Sequence, residues 1–492
     1  MRRSRPDDEK VLVPRARQRE GELAATLRRI RVDLALPDGF PAEVEREARE
    51  IVATTPLPDR DLEHVPFVTI DPRGATDLDQ ALHVERSGEG HTVWYAIADL
   101  PAFVRPGGAI DREARDRGQT LYAPDGRIPL HPSAIGEGAA SLVPGEVRGA
   151  YVWRFELDAE GEVRATTLER ARVRSRRQYD YVEVQDLVDA GAAEEQLVLL
   201  REVGLRRVEV ERRRGGASLR RPDEEVEVED GRYRLVRRAP LPVEEWSAQL
   251  SLMTGMAAAR IMLDGGIGIL RTMPAASEET LARFRRQVAA LGCPWPADQP
   301  YGEFLRTIDT ESAAGLAAIH AAASLFRGAG YAAFDGQPPA VTMQAAIAAP
   351  YTHATAPLRR LVDRFVLVTC DALVAGRPVP EWVREALPAL PGLMGASSNR
   401  AGRLEHESVD AIEAALLAPH VGELFDATVV ATNGGGSTVQ VSDREDGLLE
   451  GAGIVVATVP ELLEPGTAAR VRLTEATIAT GTVRFAVVAD TA

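Results

Sequence analysis

The sequence is short of cysteine. Only Cys293 and Cys370 occur among 492 residues, too few and too far apart for a CxxC metal site or a disulfide framework, so both read as core thiols. Long apolar runs are also lacking. No stretch reaches the roughly 18 apolar residues of a membrane span, and the opening MRRSRPDDEKVLV carries charge where a signal peptide needs an apolar segment. A cytoplasmic protein is expected, with no membrane contact. Nor is there an excess of positive charge. The formal net charge of −16 argues against a protein that only coats nucleic acid through counterion release, but it permits an acidic enzyme with a basic channel. No internal repeat appears.

An apolar fraction of 45% is present, enough to fill a large core in a chain of about two to four domains. Residues 1 to about 20 are charged and aperiodic and read as a basic, mobile tail. A helix is expected over Ala42 to Ala53 (AEVEREAREIVA), followed by a Pro-rich linker. From Val65 the pattern turns to strands: VPFVTID, ALHVER, a turn at SGEG, then HTVWYAIAD. Strand signals continue in AYVWRFELD and VRATTLERARVRS. The pattern is helical around 193 to 214, and a second helical block is expected to fill 243 to 418. Beyond about 420, short strands separated by NGGGS, EDG and GAG turns suit a small OB-like β-barrel. The expected class is α+β, with a segment 1–64, a core 65–418 of mixed sheets and helices, and a barrel 419–492.

One acidic loop stands out, FVTIDPRGATDLDQALHVE. Asp71 ends a strand, Pro72 and Gly74 force a turn, and Asp77 and Asp79, two apart, can project the same way. Three carboxylates on one spot raise one another's pKa unless a cation neutralises them, and all-oxygen ligation favours Mg²⁺ or Mn²⁺. The loop does not have the spacing of a calcium hand. A solvated Asp-rich turn is the competing reading.

A second feature lies in YTHATAPLRRLVDRF. With Thr355 as N-cap and Pro357 in the first turn, Arg359 and Arg360 sit at the positive end of a helix, where free N–H groups and guanidinium forks suit a phosphate. Alternatively, both arginines are surface residues, with Asp363 pairing Arg359 at i,i+4. Arg170, Arg172, Arg174 and Arg176 alternate along a strand and share one face, which reads either as a phosphate track or as a solvated face.

FVTIDPRGATDLDQAL, YAIADLPAFV, RGQTLYAPDGRIPLHP, SRRQYDYVEV and YTHATAPLRRLVDR together, in this order, resemble the ribonuclease II (RNB) family from Val65 to Leu416. The resemblance implies a hydrolase that removes nucleoside 5′-monophosphates from the 3′ end of single-stranded RNA, with two divalent ions at the scissile phosphate; a monomer is expected, although the sequence itself does not give the oligomeric state. It implies metal ligation by Asp71, Asp77 and Asp79, with Asp79 the most closely tied to catalysis. It implies transition-state stabilisation by Arg359, and Arg360 near backbone phosphate. Tyr181 falls on a tyrosine near the terminal nucleotides, Tyr122 on one that stacks a base at the far end of the channel, and Glu407 on a family glutamate.

The chain departs from the pattern at several positions. Gln80 stands where the family has a fourth aspartate. Its carbonyl oxygen can ligate Mg²⁺ but brings no charge, so one ion is expected to bind more weakly and activity to be reduced. Leu219 stands where the family tends to place an aromatic, which loosens the grip on RNA. About 64 residues before the core are too few for the two cold-shock barrels of larger members. The rival expectations are an RNA-binding or regulatory protein that kept the fold with a weakened site, and a DNA nuclease.

Overall fold

The computed structural model describes residues 8–219, 223–229, 232–310, 312–433, 435–441 and 455–488. The expected tail differs in part. Residues 1–7 lie outside the described residues, but a helix, α1, runs over Asp8–Asp33. Leu23, Leu27, Ile30 and Leu34 recur at helical spacing and bury against Leu404, Ala411 and Ile412. Tertiary burial thus anchors a helix in a segment whose charge pattern reads as unstructured. The next helix, α2 (Ala42–Thr54), buries Val44, Ala48 and Ile51 on one face, as expected.

Seven strands follow: β1 (Phe67–Asp71), β2 (Gln80–Ser87), β3 (Gly90–Ala98), β4 (Leu121–Ala123), β5 (Gly126–Ile128), β6 (Val147–Leu157) and β7 (Val163–Asp180). Five of them close a barrel in the order β1–β2–β3–β6–β7, with β1 parallel to β7 and Ile70 opposite Tyr179. Closure removes every sheet edge. Alternate residues serve two cores: Val68, Ile70, Val93, Tyr95 and Ile97 face one, while Phe67, Ala96 and Ala98 face the other.

Helices α3 (Ala109–Arg117), α4 (Tyr181–Asp189), α5 (Glu195–Arg214) and α6 (Pro242–Gly265) come next, and the helices Leu361–Val374 and Leu390–Leu417 complete the core. The stretch expected to be helical over 243–418 is interrupted by an antiparallel pair, Ile267–Thr272 with Gly330–Asp335. A short apolar run such as IGIL reads equally well as strand or helix. The last region holds five antiparallel strands around Phe425, Val429, Val439, Val471, Leu473 and Phe485. Its end strands, Val456–Val459 and Thr482–Val487, pack against each other, giving the expected small barrel. The EDG and GAG turns lie outside the described residues. Cys370 is buried and Cys293 partly so. Among the described residues no helix is long and apolar enough to cross a membrane.

Candidate active site

Asp71 is the last residue of β1, and Gly74 reverses the loop with φ of 81°, a conformation open to glycine and costly for other residues. The loop returns through Asp77 and Asp79 into β2. Facing it is the segment Tyr351–Arg360, brought close by α6. A Cβ on Gly255 would lie 2.4 Å from the Thr352 carbonyl oxygen, so only glycine lets the helix approach this closely.

The segment bearing Arg359 differs from expectation. The helix begins at Leu361, with Arg360 at its N-cap position and in extended backbone geometry, so Thr355 is not the cap and the arginines precede the helix. The Ala356 carbonyl closes a single turn here, accepting from the N–H groups of Arg359 and Arg360 at 3.2 and 2.9 Å, and side chains hold that turn in place. Leu358 N–H donates to Asp79 Oδ1 at 2.8 Å, and Ala356 N–H donates to Asp363 Oδ1 at 2.7 Å. Thr120 N–H donates to the Arg359 carbonyl at 2.9 Å. Asp363 pairs with Arg360, not Arg359: Nε and Nη2 of Arg360 reach its two oxygens at 2.9 and 2.8 Å. The Arg360 fork is therefore closed on Asp363 rather than open to a phosphate.

Arg359 is left to the site. Its Nε lies 3.5 Å from Asp79 Oδ2, and its side chain is 46% exposed while that of Asp79 is buried. Burial pushes the Asp79 carboxyl up to about 8 against the pull of Arg359. Burial likewise raises Asp71 to about 6, again opposed by Arg359. Asp71 Oδ2 is buried and has no hydrogen-bond partner.

Asp77 is held differently. Arg127 Nη1 pairs with it, while Nη2 reaches Thr76 Oγ1 and Glu137, each at 2.8 Å. Among the described residues no three His, Cys, Asp or Glu side chains stand together as a ready-made metal cage. The three carboxylates stay near one another, with Asp77 adding to the rise of Asp71, but they differ in partner: Asp79 pairs with Arg359 and Asp77 with Arg127. Guanidinium groups supply the positive charge that crowded carboxylates need.

Gln80 is bonded at both ends of its amide, donating from Nε2 to the Thr355 carbonyl and accepting at Oε1 from the Tyr95 hydroxyl, both at 2.7 Å. Tyr181 opens α4, which Asp180 caps by accepting from Glu183 N–H at 2.8 Å. Burial, then the neighbouring Asp71, pushes the Tyr181 phenol up to about 12. Gln80, Tyr181, Leu219, Glu244, Ser251 and Arg359 help line one cleft of about 650 Å³. Tyr122, 58% exposed, lies on β4 directly opposite Arg127 on β5, so the two side chains share a face.

Two further expectations are corrected or relocated. The alternating arginines of β7 form no open phosphate track. Arg170 pairs with Asp99, Arg172 with Asp61 and Glu63, and Arg174 with Glu63. Arg176 donates to the Glu63 carbonyl. Acidic side chains from the linker before β1 cover the strand. Glu407 lies on the helix Leu390–Leu417 and pairs with Arg403 at 2.9 Å. Arg127, Tyr95 and Ser251 were not legible as site residues. The PDG turn before Arg127 is a hairpin signal that could have placed it beside Tyr122.

Residues 59–375 match the family model described as the RNB domain. The chain belongs to the RNB family. Residues 423–488 match the RNase II-type exonuclease C-terminal S1 domain, which corresponds to the terminal barrel of this RNB protein. Ribonuclease R of Thermotoga maritima is 26% identical over 455 residues, covering 84% of this chain and 61% of that protein. The RNB chain thus spans less than two thirds of that relative. RNase R of Mycoplasma genitalium, solved with ribose-methylated single-stranded RNA, superposes with a TM-score of 0.83 at 17% identity, covering 95% of this chain and 78% of the other. Yeast Ssd1, described as a pseudonuclease, superposes at 0.64 with 16% identity over 89% of this chain and 51% of its own. A nuclease and a pseudonuclease share this fold, so the site has to decide between them.

Proposed function

We propose that this RNB protein is a hydrolytic 3′-to-5′ exoribonuclease that shortens single-stranded RNA and releases nucleoside 5′-monophosphates. The observation that carries the proposal is the pairing of half-exposed Arg359 with buried Asp79 at the cleft. The arginine is oriented by a carboxylate and still presents its outer nitrogens to a phosphate. A fork held in this way stabilises charge that builds on phosphate oxygens in the transition state, with little reorganisation.

Asp71, Asp77 and Asp79 would hold Mg²⁺ or Mn²⁺. The all-oxygen donor set and the unpartnered, buried Asp71 Oδ2 suit a hard cation. Bound there, such an ion neutralises phosphate charge and makes water acidic enough to serve as a nucleophile near neutral pH. Tyr181 borders the position of the terminal nucleotide beside Asp71. Tyr122 offers an exposed ring for stacking a base, an interaction worth about 1–3 kcal/mol.

The alternative, an RNA-binding protein with a weakened site, draws on the amide at Gln80, the Arg127–Asp77 pair and the likeness to Ssd1. One experiment separates the two. A 5′-labelled oligo(A), its DNA counterpart and a 3′-phosphorylated RNA are incubated with Mg²⁺ or Mn²⁺. A ladder descending from the 3′ end of the RNA alone, abolished in Asp79→Asn, is expected. RNA binding without a ladder in either metal selects the alternative.

A further inference from the structure

Gln80 reaches further than a substituted cation ligand needs to. Its Nε2 donates to the Thr355 carbonyl and its Oε1 accepts from Tyr95. Tyr95 has one hydroxyl proton, and Gln80 receives it. The 2.8 Å contact between the Tyr95 oxygen and Ser251 Oγ is therefore one in which Ser251 donates. A single polarised string results, from Ser251 on α6 through Tyr95 on β3 and Gln80 on β2 to Thr355. Thr355 begins the turn that carries Arg359.

We propose that Gln80 is a positioning residue that latches the Thr355–Arg360 turn to the barrel and thereby aims Arg359, and that it is not a cation ligand. The inference rests on the nuclease reading only for its kinetic consequence. Asp79 and Asp363 tether this turn through the N–H groups of Leu358 and Ala356. Gln80 adds a tether to a carbonyl, which only a donor can make. A carboxylate at this position would set two acceptors against each other with no proton between them. To ligate through Oε1, the amide would have to weaken its bond from Tyr95, and turning it over would point N–H groups at the cation. A semi-buried string of this kind is cooperative, so losing one member loosens the rest.

The test compares the parent with Gln80→Ala, Gln80→Asp and Tyr95→Phe by calorimetric titration with Mn²⁺, hydrogen exchange over residues 355–360, and single-turnover kinetics. Mn²⁺ affinity is expected to stay within about threefold in Gln80→Ala and Tyr95→Phe, because neither gains or loses a ligand, while Gln80→Asp is read by exchange alone. Exchange over the turn is expected to rise about fivefold or more as local opening becomes easier. In a parent that cleaves RNA, kcat should fall by about tenfold with KM within about twofold, the pattern of an interaction felt in the transition state. Affinity tightened about tenfold in Tyr95→Phe, or weakened as much in Gln80→Ala, with exchange unchanged, would overturn the proposal. If a variant lacks a cooperative melt, Gln80→Glu, which keeps the length and the acceptor while removing the donor, takes its place. An inactive parent would count against the nuclease reading alone, since titration and exchange do not need turnover.

Discussion

Arg127 closes on Asp77 with one nitrogen and reaches Thr76 and Glu137 with another. This guanidinium occupies one of the carboxylates proposed to hold a divalent cation. Removing it in Arg127→Ala is expected to tighten Mn²⁺ binding by about tenfold, or about 1.4 kcal/mol, and to lower the melting temperature measured without added cation by a few degrees. Calorimetric titration reads the first effect. Unchanged affinity would mean that Asp77 does not face the cation.

Arg359→Ala is expected to reduce kcat by about 10²- to 10³-fold, the range for deleting one preorganised electrostatic group, while RNA affinity changes little. Arg359→Lys should recover only a small part of the loss, because an ammonium cannot match the planar fork. Single-turnover rates with oligo(A) and a separate binding isotherm make the comparison. Full recovery by lysine would reduce Arg359 to a point charge.

Asp363 is fully buried, accepts from Ala356 N–H and closes the Arg360 fork. Asp363→Ala leaves a mostly enclosed guanidinium without its partner and should cost about 3–5 kcal/mol of stability. Denaturant unfolding measures this. A loss under about 1 kcal/mol would show that Arg360 finds solvent instead.

His131 is 2% exposed, and burial, with Arg364 and Arg117 nearby, pushes its pKa down to about 3. The unfolded chain takes up this proton near pH 6.5 while the native state resists until about 3. The unfolded state therefore binds more protons across this window, and stability falls as pH drops through it. The melting temperature of His131→Leu should fall less than that of the parent between pH 7 and pH 4. Parallel slopes would remove His131 from the acid response.

Arg174 is paired with Glu63. Arg174→Gln is expected to leave RNA affinity and its salt dependence unchanged. A salt slope lower by about one unit would restore β7 as a phosphate track.

The mixed class, α2, the strands of the barrel and the terminal β-barrel were all legible, because burial periodicity along a short segment is a local property. The acidic loop and the arginine motif stood out in the sequence as charged segments, and the fold brings Asp79 and Arg359 together. The extent of α1 was not, since its helix is anchored by Leu404, Ala411 and Ile412, far along the chain. The helix start at Leu361 was missed because Asp363 and Asp79 take the N–H groups of Ala356 and Leu358 and hold one isolated turn, which extended Arg360 separates from the helix where local capping signals favour a continuous one.

The sequence by itself determined which charged groups are available: Asp71, Asp77, Asp79, Arg359 and an amide at position 80. Tertiary structure alone decided how they are paired. Arg127 takes Asp77, Asp363 takes Arg360, and Glu63 with Asp61 and Asp99 takes the arginines of β7. Arg359 is left half-exposed beside Asp79. Charge is carried by the residue type, whereas an ion pair depends on which distant side chain the fold brings within a few ångströms. Spacing along one strand or helix cannot contain that information.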